Sequence, residues 1–320
     1  MAKKIGPIRY ISYFFERLCF AFSVFLFRIL PIRYIYLLAK FTGIAVSYLI
    51  PGHRRRVMGN LYLAFGAEKN SKDKLAIYRS ANINLTKNFF EMLCSANNGR
   101  QPELIKYIQI VGRENLDASL RKRNGVIAIG GHFGNFTIMG LKMKDAGYRF
   151  HTVVRDFTDP LRQKIYEKYR SQQGQPLIYS RPPRKALKNI LQALRRNEIV
   201  FIITDENKRG AKVFVNFFNR PAATAPGPAI LHLRTGADIM PVFLIRNQDN
   251  THKLIIEPPL NISYRGNHRG DVEEITSLIT RKIEEYVRRY PSQWMWTHRR
   301  WRSRPPEEKA RGIDPAYWRY

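Results

Sequence analysis

The stretch Gly125-Val-Ile-Ala-Ile-Gly-Gly-His132-Phe-Gly-Asn-Phe-Thr137-Ile-Met-Gly140 constrains the fold of this chain more than any other. Val126 to Ile129 is a short apolar, β-branched run, the pattern of a buried strand. Gly130 and Gly131 break it, and Phe136, Ile138, Met139 and Leu141 resume apolar residues at spacings a helix can use. His132 therefore falls where a strand hands over to a helix, at the carboxyl edge of an expected parallel sheet. Reactive groups collect at that edge in α/β folds. The glycines allow close backbone approach, and the following helix N-terminus offers N–H donors to an anionic group. A histidine so placed is a candidate general base. It is also one of seven histidines, and the reading that it merely fills a turn stands beside the catalytic one.

Strand and helix patterns alternate around this stretch. Lys74–Leu93 has helical spacing, Ile105–Val111 reads as a strand and Asn115–Arg121 as a helix. Downstream, Phe150–Arg155, Ile199–Thr204, Asp238–Arg246 and Lys253–Glu257 read as strands. Pro160–Gln172, Arg184–Arg196, Ala225–Arg234 and Glu273–Tyr290 read as helices. Such alternation predicts an α/β fold with a mixed, largely parallel central sheet flanked by helices. The expected division is an N-terminal membrane-anchoring helical segment over 1–66, the α/β domain over 67–304 and a polar tail over 305–320.

Charge enters the argument at the N-terminus. Lys and Arg total 55 against 25 Asp and Glu, a formal net charge of +30, which attracts nucleic acid, anionic headgroups or an acidic carrier protein. Before residue 80 the basic residues are threaded through Tyr10, Tyr13, Phe14, Phe15, Phe20, Phe22, Phe25, Phe27, Tyr34, Tyr36 and Phe41. That interleaving suits a membrane interface, where Lys and Arg snorkel and rings lie at headgroup depth. Leu18–Phe27 is too short to span a bilayer and Tyr34–Ile50 carries Lys40, so two amphipathic helices lying on the membrane are expected. Pro31 separates them, Pro51-Gly52 ends the second, and His53-Arg-Arg-Arg56 follows as a headgroup contact. A pair of ordinary core helices is the other reading. No helix-turn-helix, zinc-ligand, RRM or KH pattern supports nucleic acid as a partner. Cys19 and Cys94 give neither a disulfide framework nor metal-ligand spacing, which fits a reducing compartment, and no metal is expected.

Three features lie at the ends of predicted strands: His132, then Arg155 followed by Asp156, then Asp205-Glu206-Asn207. In a parallel sheet these ends converge on one edge. A base, a cation and a carboxylate there are what acyl transfer to a hydroxyl uses. Ion pairing of Arg155 at the surface and loop capping by Asp205 or Glu206 are the plainer alternatives.

These blocks, in this order, resemble the late acyltransferases of lipid A biosynthesis, members of the lysophospholipid acyltransferase superfamily. The first is Gly131-His-Phe-Gly-Asn135 with a following aromatic residue; the second is Val153-Val-Arg155. The third runs from Asp205-x-Asn207-x-x-Gly210 through Phe214–Phe218, Arg220-Pro-Ala-Ala-Thr224 and Gly227-Pro-Ala229. Pro291-x-Gln293-Trp-Met-Trp296-x-His298-Arg-Arg-Trp301 resembles the closing motif. The resemblance implies His132 as base, with Arg155 and Asp205 catalytic and Gly131, Asn135, Thr137, Glu206, Arg220 and Thr224 lining the substrate region. It implies an acyl carrier protein thioester as co-substrate, no further cofactor, an anionic glycolipid or phospholipid hydroxyl as acceptor, and work on the cytoplasmic face of the inner membrane.

One departure stands out. The family pattern is His, four residues, then Asp or Glu, and Thr137 occupies the acid's place. Threonine can hydrogen-bond an imidazole but brings no charge to stabilise its cation. Either Asp205 or Glu206 takes the role, the acid is dispensable, or the chain is a catalytically impaired, lipid-binding member. The tryptophans and arginines of Trp294–Arg304 have two expected uses, gripping headgroup phosphates and packing the last helix onto the sheet.

Overall fold

Strand β2 (Val126–Gly130) is buried along its whole length, and its continuous apolar sequence follows from having both faces covered. A computed structural model describes residues 7–310 except 97, 157–158, 160–162, 164–166, 168–175, 209 and 211–212. The helix expected over Pro160–Gln172 lies mostly outside the described residues. The elements in chain order are α1 (Pro7–Ile29), α2 (Ile32–Leu49), α3 (Pro51–Phe65), α4 (Ser71–Ser95), α5 (Gln101–Lys106), β1 (Ile108–Val111), α6 (Arg113–Arg121), β2, α7 (Phe136–Asp145), β3 (Phe150–Val154) and β4 (Leu177–Tyr179). There follow α8 (Pro183–Arg195), β5 (Ile199–Ile203), β6 (Phe214–Phe217), β7 (Arg220–Ala223), α9 (Gly227–Thr235), β8 (Asp238–Arg246), β9 (His252–Ile256), α10 (His268–Arg289) and α11 (Pro306–Ala310).

The main sheet has the order β1-β9-β8-β2-β5-β3-β4. Among the described residues, every pairing in it is parallel except β8 with β9. Alternate residues of β2 feed the two sides of the sheet. Ile127 and Ile129 join the layer built with α3, α8 and α10, whereas Val126 and Ala128 join the one built with α1, α6 and α7. Helix α8 shows how the flanking layer is specified. Ala186, Ile190, Ala193 and Leu194 recur on one face and are buried, while Arg184, Lys185, Lys188 and Arg195 point to solvent. Helix α10 begins where the Asn267 side chain accepts from Gly270 N at 2.7 Å. It buries Val272, Ile275, Ile279, Ile283 and Val287.

The N-terminal helices keep part of their apolar surface in the open. On α1, Leu18, Phe22, Phe25 and Ile29 recur on one face and are each more than half exposed. On α2, Leu37, Leu38, Phe41, Tyr48 and Leu49 are exposed, whereas Ile35, Ala39 and Gly43 pack inward. Among the described residues, no single helix is long and apolar enough to cross a membrane; α2 and α3 pass that test only as a pair bent by 91°. Pro51 ends α2 by starting α3, and the basic run Arg54–Arg56 lies exposed on α3.

The closing motif does not lie on the surface. Trp294, Trp296, Trp301 and Arg300 are buried. Trp294 and Trp296 meet edge to face with centroids 4.6 Å apart, and Trp301 lies 5.6 Å from Phe217. Packing is thus the use these residues have, and the headgroup grip expected of the tryptophans and of Arg300 is corrected. The segment is held because each indole N–H finds a buried acceptor, Trp296 on Pro291 O and Trp301 on Phe217 O. Of the polar tail, Pro306–Ala310 forms α11, with Arg304 bridging to Glu308 at 3.1 Å.

Candidate functional site

The register of β2 against β5 builds the centre of the site. Gly130 pairs with Ile203, so the two strands end level, and Thr204 N donates to Gly130 O at 3.1 Å. The next residues, Gly131-His132 and Asp205, are thereby brought face to face. The carboxylate can come this close because residue 131 has no side chain: a Cβ there would stand 2.7 Å from Asp205 Oδ2. Gly134, at φ +57°, passes so near β8 that a Cβ would lie 2.0 Å from Leu244 O.

Asp205 accepts three hydrogen bonds. Its Oδ1 lies 2.9 Å from His132 Nδ1, while Oδ2 accepts from His132 N and from the Trp294 indole Nε1, each at 2.7 Å. The Asp205 side chain is only 2% exposed and that of His132 20%. Burial alone pushes the Asp205 carboxyl up, but the charge and hydrogen bond of His132, with the Trp294 and backbone donors, outweigh it and hold the group below its usual range. Burial likewise disfavours the His132 cation, and the Asp205 carboxylate, aided by Glu206, more than reverses this, so the His132 pKa is raised. With Asp205 ionised, Nδ1 must carry the proton, which leaves Nε2 as the basic atom. Nε2 looks toward Glu206, whose Oε1 is 3.6 Å away and whose side chain is half exposed.

Behind His132, Asn135 caps α7 by accepting from Thr137 N at 3.1 Å and Ile138 N at 3.4 Å. Its amide donates to Glu91 Oε2 at 2.9 Å. Glu91 is fully buried and carries a bidentate pair with Arg246, at 2.6 Å to Oε1 and 2.7 Å to Oε2, together with a hydrogen bond from Tyr36. This cluster ties α2, α4 and β8 to the turn that presents His132. A groove of about 180 Å³ runs from His132 between α4 and the closing segment. Its walls include Val57, Leu85, Phe89, Met92, Phe136 and Trp296, with Asn135 and Thr137 beside the histidine. Most of this lining is apolar, with polar side chains at the end beside the imidazole.

The sequence-predicted residues separate here. His132, Asp205, Glu206, Gly131, Asn135 and Thr137 gather at the groove's end. Arg155, just past β3, is exposed and lies across β5 from His132, about 10 Å away by strand spacing. It makes no hydrogen bond or ion pair to His132, Asp205 or Glu206 among the described residues. Arg220 donates to Leu63 O at 3.0 Å, and buried Thr224 accepts from Arg300 at 2.6 Å, so both brace the β6–β7 hairpin. Residues not anticipated for the site are Trp294, which bonds Asp205, and Glu91 with Arg246. Among the described residues, no group of three His, Cys, Asp or Glu side chains is arranged to hold a metal.

Residues 2–303 match the model of the bacterial lipid A biosynthesis acyltransferase family. The chain is 25% identical over 208 residues to the lipid A biosynthesis palmitoleoyltransferase of Escherichia coli K12, covering 64% of this chain and 65% of that protein. It is 25% identical over 207 residues to the lauroyltransferase of the same organism, covering 63% and 64%. To the phosphatidylinositol mannoside acyltransferase of Mycobacterium tuberculosis H37Rv it is 24% identical over 196 residues, covering 60% and 59%. The chain belongs to the bacterial lipid A biosynthesis acyltransferase family.

Proposed function

We propose that this protein moves a fatty acyl chain from an acyl carrier protein thioester to a hydroxyl of an anionic glycolipid, with His132 as general base. The observation that carries the reading is the buried Asp205 bonded to His132 Nδ1 at the end of an apolar groove. His132 Nε2 takes the proton of the acceptor hydroxyl, and the oxygen attacks the thioester carbonyl carbon. The tetrahedral intermediate collapses with cleavage of the C–S bond, and the imidazolium returns its proton to the leaving thiolate. Asp205 keeps the ring in the Nδ1–H tautomer and offsets the positive charge that builds on it. Phosphate groups on the acceptor, and an acidic carrier, both complement a chain of net charge +30. The names of the relatives support acceptors of two kinds, lipid A precursors and phosphatidylinositol mannosides.

Work at the cytoplasmic face of the inner membrane, with α1 and α2 lying in the interface, is part of the same proposal. It rests on the exposed apolar faces of these helices and the basic run Arg54–Arg56 that follows them. The reading of a catalytically impaired lipid binder rested on the missing charge at Thr137, and an ionised Asp205 already bonded to the imidazole weighs against it. The test is acyl transfer by purified protein, with labelled acyl carrier protein and a panel of anionic glycolipid and phospholipid acceptors. Transfer by the wild type that disappears in His132→Ala is expected. Transfer that survives in His132→Ala would overturn the assignment of the base.

A further inference from the structure

Trp294 spends its single polar hydrogen on the one carboxylate that touches His132. A buried indole N–H needs a partner, but a backbone carbonyl suffices, as Trp296 and Trp301 show. The Trp294 ring is held edge to face against Trp296 and packs on Phe217 at 5.7 Å, so its N–H has little freedom. The same segment also grips the histidine's own backbone. Phe133 and Trp294 form an antiparallel bridge, with Met295 N donating to His132 O at 3.0 Å and Gly134 N to Gln293 O at 3.1 Å. One short stretch of chain therefore fixes both members of the pair.

We propose that Trp294 is a positioning residue for the His132–Asp205 pair: its indole N–H pins Oδ2 of Asp205 so that Oδ1 stays aimed at His132 Nδ1. This deepens the reading of His132 as base and rests on it for the kinetic consequence alone. Without the indole donor, Oδ2 keeps only the His132 backbone N–H. The carboxylate is then free to turn Oδ1 away from Nδ1, and it stabilises the imidazolium less. The other ionisable groups facing the pair are Glu206, His298 and Arg300, and none of them bonds the Trp294 indole.

The experiment compares wild type with Trp294→Phe, and with a protein carrying 3-benzothienylalanine at 294, which keeps the indole's shape and replaces N–H by sulfur. Thermal unfolding checks the fold of each. The decisive readout is independent of catalysis: NMR titration of ¹⁵N-histidine-labelled protein, following the His132 ring nitrogens. The titration of His132 is expected to move to lower pH in the folded variants, because the bond from Asp205 that raises it is loosened. In turnover, kcat falls on the order of tenfold with KM unchanged, and the acid limb of kcat/KM moves downward with the NMR titration. A His132 titration that stays in place or moves upward in the folded benzothienyl protein overturns the proposal. If no donor and acceptor pair gives turnover even in wild type, the reading of the enzyme fails, yet the NMR titration still decides the role of Trp294.

Discussion

Replacing Arg246 by methionine strands Glu91 as an unpaired carboxylate in the interior, and the consequence can be followed by pH. In the native protein Glu91 is wholly inaccessible, paired with Arg246 and bonded by Tyr36 at 2.7 Å and Asn135 at 2.9 Å. Burial alone would raise its pKa, but the guanidinium's charge and hydrogen bonds carry it down to about 2. His252 beside it is kept neutral by burial and by Arg246, with its pKa lowered to about 4. Both folded values lie below the unfolded ones, so these groups contribute stability that is complete above about pH 6.5 and lost as pH falls. In Arg246→Met the sign for Glu91 reverses. Burial then dominates, the folded pKa lies above the unfolded one, and stability is lost as pH rises. Breaking one partner from a buried pair costs about 3–5 kcal/mol, which near neutral pH lowers Tm by roughly 6–10 °C. Each pH unit of acidification toward the ordinary carboxylate range restores about 1.4 kcal/mol of that deficit. Thermal unfolding of both proteins between pH 5 and 8 reads it directly, and adding Glu91→Gln to the variant removes the carboxylate's share of that pH dependence, leaving what His252 contributes. A deficit below about 1 kcal/mol at pH 8, or one that does not shrink on acidification, would refute the reasoning.

Four further outcomes follow from the site. Asp205→Asn lowers kcat by about 10⁴, the scale for losing the acid of a histidine pair, whereas Thr137→Ala stays within about tenfold of wild type; similar losses in the two steady-state assays would contradict the assignment of the acid. The kcat/KM profile loses activity on acidification with a limb above the ordinary histidine value of 6.5, because a raised His132 pKa removes the neutral base earlier; a limb below that value would contradict the sign. Gly131→Ala drives a methyl to 2.7 Å from Asp205 Oδ2, so activity falls at least as far as it does in Trp294→Phe while the overall helical content by circular dichroism is unchanged. Phe22→Ser with Phe25→Ser weakens binding to anionic vesicles in a flotation assay by roughly 10²- to 10⁴-fold, given about 1.5–3 kcal/mol for each buried ring; unchanged flotation would remove α1 from the membrane contact.

How much of this was legible in the sequence depended on the range of the interaction involved. Strand β8 occupies the span its apolar run predicts, and the β2–turn–α7 unit follows directly from Val126–Ile129 and the paired glycines. The β6–β7 hairpin was not anticipated as strands, because its turn uses Phe218 and Asn219 at positive φ where Asn-Gly or Gly-Gly would have announced it. β4 is three residues long and carries too little pattern to be read. The strand-end rule placed His132 and Asp205 on one edge, where they do meet, because it depends only on local periodicity and a parallel sheet. It also brought in Arg155, which shares the edge but stands a strand farther along. Glu91 lies 155 residues from Arg246 and reads alone as an ordinary helix residue, and Trp294, 89 residues from Asp205, stands out in the closing motif but with nothing local to name its partner.

Thr137 takes on its meaning from these long-range contacts. An acid at that position would reach His132 from the first turn of α7, so base and acid would come from one continuous local unit. In this chain a carboxylate from the end of β5 bonds the imidazole, and three things allow that contact. The Gly130–Ile203 register brings the two strand ends level, Gly131 leaves room for the carboxylate, and Trp294 occupies the oxygen that the imidazole does not use. The charge lost from α7 is thus present on the neighbouring strand, but its aim now depends on a segment about ninety residues farther along the chain. A His–acid pair held this way is complete only after the closing motif has packed. Of the buried residues of that motif, Trp294 bonds the pair, while Trp296 and Trp301 spend their N–H groups on backbone carbonyls that hold the segment in place.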